Sequence, residues 1–98
     1  MKTLTIKEFA QANNIASFAL TVRANANEYP FVTFISSTNE AMNVYFSKSL
    51  AEKISVGDDV KSVLQSNSCM IAEIVNADGE VRIKLIGNSE RGNIEDLF

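Results

Sequence analysis

The residues best suited to bind a ligand lie in one aromatic stretch of the 98-residue chain. Residues 28–48, EYPFVTFISSTNEAMNVYFSK, hold five of the eight aromatic side chains, and Arg23 and Lys48 stand near its two ends. Aromatic rings offer flat apolar faces on which planar groups stack, while arginine and lysine bind anions. This stretch is therefore the candidate binding region, provided that the fold leaves some of its rings outside the core.

Residue types that support other chemistry are scarce. The chain has no histidine, the usual general base near neutral pH and the commonest metal ligand. Its four glycines are too scattered for a phosphate-binding loop. Asp58 and Asp59 lack the regularly spaced oxygen ligands of a calcium loop, so we expect them to cap or solubilise a turn. The sequence therefore predicts a protein that is not an enzyme and uses no metal or cofactor.

Net charge, cysteine content and the lack of long apolar segments indicate the compartment and the kind of partner that we expect. The net charge is −3, whereas a protein that binds duplex DNA normally carries a basic excess. Cys69 is the single cysteine and cannot form an internal disulfide. The N-terminus lacks the apolar segment of a secretory signal, and no apolar run is long enough to span a bilayer. These features predict a cytoplasmic protein with no membrane partner.

The first predicted element is a short helix over residues 6–13. Thr5-Ile6-Lys7-Glu8 matches a capping box, in which the Thr5 hydroxyl and the Glu8 carboxylate each accept a hydrogen bond from the other residue's backbone amide. The pair Asn13-Asn14 is a plausible left-handed stop for this helix.

A period of two then predicts three strands joined by short turns. From Ala16 to Arg23, alternation places Phe18, Leu20 and Val22 on one face. Turn residues at 25–28 precede a second strand over 31–36, and those at 37–40 precede a third over 42–47. This order indicates an antiparallel meander.

The next segments are less regular. Ser49-Leu50-Ala51-Glu52 repeats the capping-box pattern and predicts a brief helix that Gly57 closes. Residues 58–66 fit a helix by the spacing of their apolar residues and a strand by their β-branched content, and we favour the strand.

The last predicted element is a hairpin with a two-residue turn at Asp78-Gly79. That turn pairs Glu73 with Lys84 as opposite charges and collects apolar residues on one face. We take residues 1–87 as one domain. Residues 88–98 read as a flexible acidic tail, in which three acidic residues stand against one arginine.

Two architectures suit this order of elements. One is a small OB-like antiparallel barrel of five or six strands with an N-terminal helix, since the third and fourth strands of that barrel are often joined by a helix. The other is a small α+β sheet with the first helix packed across one face. Both are mainly β with short helices.

At this level the chain resembles the small OB-fold single-stranded DNA-binding proteins of phages and bacteria. The segments that carry the resemblance are VRANANEYPFVTFI, VYFSK and the acidic ending EDLF. The resemblance implies single-stranded nucleic acid as ligand, bound by aromatic and basic residues of the first three strands. It also implies a protein partner for the C-terminal residues, which we assign to Asp96, Leu97 and Phe98.

Strand geometry indicates that some rings leave the main core. Neighbouring strand residues point to opposite faces, so Tyr45 faces outward if Val44 and Phe46 face inward, and one of Phe31 and Phe34 also faces outward. Such outward rings could stack on bases, form a second layer of core, or form a dimer interface. The predicted nucleic-acid-binding residues are Arg23, Tyr29, Phe31, Phe34, Tyr45 and Lys48. The alternative is a protein-interaction or assembly module, homodimeric or not, that uses the same face or the tail.

Overall fold

A computed structural model describes residues 2–87. These residues form seven strands and three short helices. The elements, in chain order, are β1 (Lys2–Thr5), α1 (Ile6–Ala12), β2 (Ile15–Phe18), β3 (Arg23–Ala24), β4 (Pro30–Ser36), β5 (Ala41–Phe46), α2 (Lys48–Ala51), α3 (Val60–Ser66), β6 (Met70–Val75) and β7 (Val81–Ile86). The prediction of a mainly β chain with short helices is therefore confirmed, whereas the predicted count of five or six strands was too low. The predicted tail, residues 88–98, lies outside the described residues.

The strands form one curled sheet, a half-barrel, in the order β1-β6-β7-β5-β4-β2, with β3 also paired to β4. All pairs are antiparallel except β5 with β7. The fully antiparallel prediction was wrong at this pair. Between β5 and β7 the chain passes through α2, α3 and β6, and such a long connection allows it to return in the same direction.

Helix α1 begins as the sequence predicts. The Thr5 side chain accepts from the Glu8 amide at 3.0 Å, and the Glu8 carboxylate accepts from the Thr5 amide at 2.9 Å. Asn14, with φ of 56°, adopts the left-handed conformation expected just after the helix. The helix contacts β1, β2 and β6 and buries Phe9.

The predicted first strand is interrupted. A bulge falls between Ile15 and Ser17. The Ala19 amide still donates to the Thr33 carbonyl of β4, and after Ala19 the chain turns away from that strand. Residues 20–22 instead bond to the segment before α3: the Val60 amide donates to the Leu20 carbonyl, and the Val22 amide donates to the Asp58 carbonyl. The interruption separates residues that were predicted to share one face, since Leu20 is 78% exposed whereas Val22 is buried.

Residues 58–66 contain helix α3 and not the strand that we favoured. Val60, Val63 and Leu64 are buried on one side of this helix. Asp59 is its N-cap, because its carboxylate accepts from the Ser62 amide and the Ser62 hydroxyl at 2.9 Å each. The capping box predicted at Ser49–Glu52 does not form, since α2 begins at Lys48 and Ser49 lies within it.

The Asp59 cap predicts a dependence of stability on pH. Hydrogen bonds from the Ser62 amide and hydroxyl hold the pKa of Asp59 below its ordinary value of 3.8. A carboxyl with a lowered folded-state pKa stabilises the fold above pH 3.8, and that contribution is lost as the pH falls through the folded-state pKa. Asp59→Asn keeps an acceptor oxygen but cannot titrate, so its deficit in unfolding free energy should be largest at neutral pH and shrink on acidification.

Urea unfolding of both proteins at several pH values measures this difference. Asp78→Asn, in the exposed loop of the last hairpin, is the matched control and should show no such trend. An Asp59→Asn deficit that stays constant from neutral to acidic pH would contradict the assignment.

The last hairpin forms, but with a three-residue loop and not the predicted two-residue turn. The Asn76 amide donates to the Glu80 carbonyl, and Gly79 has φ of 81°, as a left-handed residue closing such a loop requires. The register therefore shifts by one residue, and Glu73 lies opposite Ile83 and not opposite Lys84. The Asn76 side chain stabilises this loop by accepting from the amides of residues 78 and 80.

The concave side of the sheet, here called the inner face, holds the core. Its buried residues include Val32, Phe34, Val44, Phe46 and Leu85, which pack with α1 and α3. Within residues 2–87, no helix is long and apolar enough to cross a membrane.

Candidate nucleic-acid interface

The opposite side of the sheet, the outer face, carries a row of four side chains on adjacent strands. Arg23 of β3 lies opposite Phe31 of β4, Phe31 lies opposite Tyr45 of β5, and Tyr45 lies opposite Lys84 of β7. Directly opposed residues share a face of the sheet. Two rings thus lie side by side with a cation at each end, and we call this set the outer row.

The two rings of the outer row are in contact. Their centroids are 5.2 Å apart and their planes meet at 61°, an edge-to-face arrangement. Phe31 is only 7% exposed, whereas Tyr45 is partly exposed. Tyr45 is therefore the ring that a ligand can reach, and Phe31 supports it from the side.

Phe34 lies elsewhere. It is 0% exposed on the inner face and makes edge contacts to Phe9 at 5.4 Å and to Phe18 at 6.3 Å. The parity argument left open which of Phe31 and Phe34 faces outward, and the structure places Phe31 there. Phe34 is a core residue and contributes nothing to the surface.

Tyr29 stands in the loop before β4 and is 61% exposed. The Asn25 carboxamide fixes this loop, because its oxygen accepts from the amides of Asn27 and Tyr29. Glu28 has a φ of 66°, in the left-handed region that residues other than glycine rarely adopt. The loop thus holds the exposed Tyr29 ring and the Glu28 carboxylate at the end of the sheet where β4 begins.

A groove of about 850 Å³ connects these parts. Its walls come from the loop at residues 25–29, the start of β4, the end of β5, helix α2 and strand β7. Tyr29 and Tyr45 line it, as do three cations, Lys48, Arg82 and Lys84. Its volume lies within the range typical of ligand sites.

Arg82 and Lys84 were missed as candidates from the sequence. Alternation in VRIKLI places both on one face of β7, a signal that was visible. Their nearness to Tyr45 depends on the parallel β5–β7 pair, which brings together residues 39 positions apart. No local pattern in the sequence indicated that pairing.

Cys69 and the acidic side chains are the other groups among the described residues that could support chemistry. Burial raises the pKa of the Cys69 thiol to about 12, so this cysteine is a packing residue and not a nucleophile. Within residues 2–87 no group of three or more acidic, cysteine or histidine side chains is placed to hold a metal ion. The predicted partner-binding residues Asp96, Leu97 and Phe98 lie outside the described part of the chain.

Neither a family model, nor a curated protein, nor a solved structure matches this chain.

Proposed function

We propose that this protein binds single-stranded nucleic acid across its outer face. The observation that carries the proposal is the outer row, in which two touching rings lie between two cations on four adjacent strands. Single-strand binders combine aromatic platforms for bases with a positively charged path for the backbone. The outer row offers both along one line.

The division of roles follows from exposure. Tyr45 and Tyr29 present rings that can stack on bases, and stacking contributes about 1 to 3 kcal/mol per base by alanine substitution. We assign the phosphate contacts to four cations, Arg23, Lys48, Arg82 and Lys84. Stacking compensates for the modest charge, because a strand held by two rings needs fewer phosphate contacts than one held by cations alone.

The architecture gives further support. In OB-type barrels, which are partly open and five-stranded, the second and third strands and two flanking loops bind oligonucleotides. We infer that β4 and β5 take the places of those two strands, with the interrupted β2–β3 segment as the first. The loops at residues 25–29 and 76–80 then correspond to the flanking loops.

Salt dependence of binding is the first test. If four cations each meet a phosphate, the slope of log affinity against log salt should be about −2.8, since each contact to a single strand contributes about −0.7. Affinity on the order of micromolar at about 50 mM salt should then fall about 50-fold at about 200 mM salt. Fluorescence anisotropy of a labelled oligo-dT of about 15 nucleotides measures both quantities.

A double variant locates the contacts. Arg23→Ala with Lys84→Ala removes both ends of the outer row and should halve the slope to about −1.4. Lys61→Ala, an exposed lysine on α3, is the control and should leave the slope unchanged. No binding at low salt, or an equal effect of the control, would overturn the proposal.

A protein-interaction module is the second candidate, and one observation favours it. Val75 and Val81 lie opposite each other near the end of the β6–β7 hairpin, and both side chains are more than half exposed. This apolar surface lies apart from the outer row. Absence of oligonucleotide binding together with self-association by light scattering would favour this function.

A further inference from the structure

The groove carries acidic as well as basic side chains. Alongside its three cations the groove is lined by two carboxylates, Glu28 and Glu52. A carboxylate beside a nucleic-acid strand repels the phosphates, so a groove that only neutralised the backbone would gain nothing from it. A carboxylate in this position can instead accept hydrogen bonds from the donor groups of a base.

The two carboxylates are open acceptors. In the described part of the chain, neither side chain accepts a hydrogen bond. Glu28 directly precedes the exposed Tyr29, and both line the groove. The left-handed backbone of Glu28 is held by its own amide, which donates to the Asn25 carbonyl at 3.0 Å. A base bound in the groove can therefore meet both the Tyr29 ring and the Glu28 carboxylate.

Base chemistry then discriminates among the possible ligands. Guanine presents two adjacent donors, N1–H and the N2 amino group, which a carboxylate accepts together. Its O6 and N7 are two adjacent acceptors that arginine or lysine can bind. Thymine and uracil present a single N–H between two carbonyl oxygens, which would face a carboxylate unfavourably.

We infer that the groove binds a guanine base, with Glu28 accepting from its donor edge and Arg82 or Lys84 donating to O6 and N7. The cation that binds the base then leaves the phosphate that it contacts in oligo-dT. This inference rests on the proposed function, because it assigns the base that the same groove selects. It makes Glu28 a specificity-determining residue. Glu52, which lines the α2 side of the groove, takes part in the same selection.

Anisotropy with two oligonucleotides tests the inference. One is oligo-dT, and the other has the same length with single guanines separated by thymines, which disfavours four-stranded guanine structures. The guanine oligonucleotide should bind about tenfold more tightly, within the discrimination of one good bidentate contact. Replacing guanine with inosine, which lacks the N2 amino group, should remove most of that advantage.

Glu28→Gln should change the two affinities in opposite directions. Oligo-dT should bind more tightly, because a negative charge is removed, and the guanine oligonucleotide should bind less tightly, because the paired acceptors are lost. Glu40→Gln, at the exposed turn between β4 and β5, is the matched control and should leave the guanine preference unchanged.

The outcomes separate the two proposals. Equal binding of both oligonucleotides by the unmodified protein, or a guanine preference that survives in both Glu28→Gln and Glu52→Gln, would overturn the guanine assignment and leave the proposed function standing. Failure to bind either oligonucleotide at low salt would overturn the proposed function and this inference with it.

Discussion

Replacing Phe34 with alanine should lower the free energy of unfolding by about 3 to 5 kcal/mol, the range for buried phenylalanines. Phe34 is 0% exposed and contacts the rings of Phe9 and Phe18 at their edges. Its loss leaves a cavity where strand β4 meets helix α1, and it removes two aromatic contacts as well as buried area. Domains of this size are stable by about 5 to 15 kcal/mol, so this loss removes about a fifth or more of the total stability.

Urea unfolding with a circular dichroism signal measures the loss. Phe34→Leu keeps most of the apolar volume and should give a smaller loss, so it reports on the site if the alanine variant does not fold. Tyr29→Ala serves as control, because a ring 61% exposed should change stability by no more than about 0.5 kcal/mol. A loss below about 1 kcal/mol for Phe34→Ala would place this ring outside the core.

Local signals in the sequence predicted local structure well. The structure contains the predicted capping box at Thr5 and Glu8 and the predicted turn at residues 25–28. It also contains the strands predicted at 31–36 and 42–47, and each end of these strands lies within one residue of its predicted position. Each depends on residues within a few positions of one another. The physical cause of each element is therefore contained in the segment that forms it.

The errors arose where two local signals competed. Residues 58–66 carried helical spacing and β-branched residues, and the deciding signal was Asp59, whose carboxylate caps the Ser62 amide. In the last hairpin, Asp78-Gly79 matched a two-residue turn, but the Asn76 side chain binds two amides of a three-residue loop. In both cases a short polar side chain that bonds to the backbone decided the conformation.

The site was predicted only in part, for a different reason. Alternation along β4 and β5 established that Tyr45 and one phenylalanine leave the inner face, and it needed no tertiary knowledge. The choice between Phe31 and Phe34 required the packing of α1, which covers Phe34. The cations Arg82 and Lys84 required the β5–β7 pairing, which depends on the whole fold.

The second large effect concerns the exposed rings. Substituting both Tyr29 and Tyr45 with alanine should weaken binding of single-stranded nucleic acid by about 2 to 6 kcal/mol, since each ring stacks one base. The lower figure already corresponds to a loss of about 30-fold in affinity. The Tyr29→Phe, Tyr45→Phe variant keeps both ring faces and should bind within about threefold of the unmodified protein.

The most direct measurement of the central claim, that the outer face binds a single strand by stacking, compares these proteins in one anisotropy titration with oligo-dT at low salt. The proposal predicts that the unmodified protein and the phenylalanine variant bind, and that the alanine variant, shown to be folded by its unfolding transition, loses affinity by about 30-fold or more. Equal affinities of the alanine variant and the unmodified protein would contradict the claim.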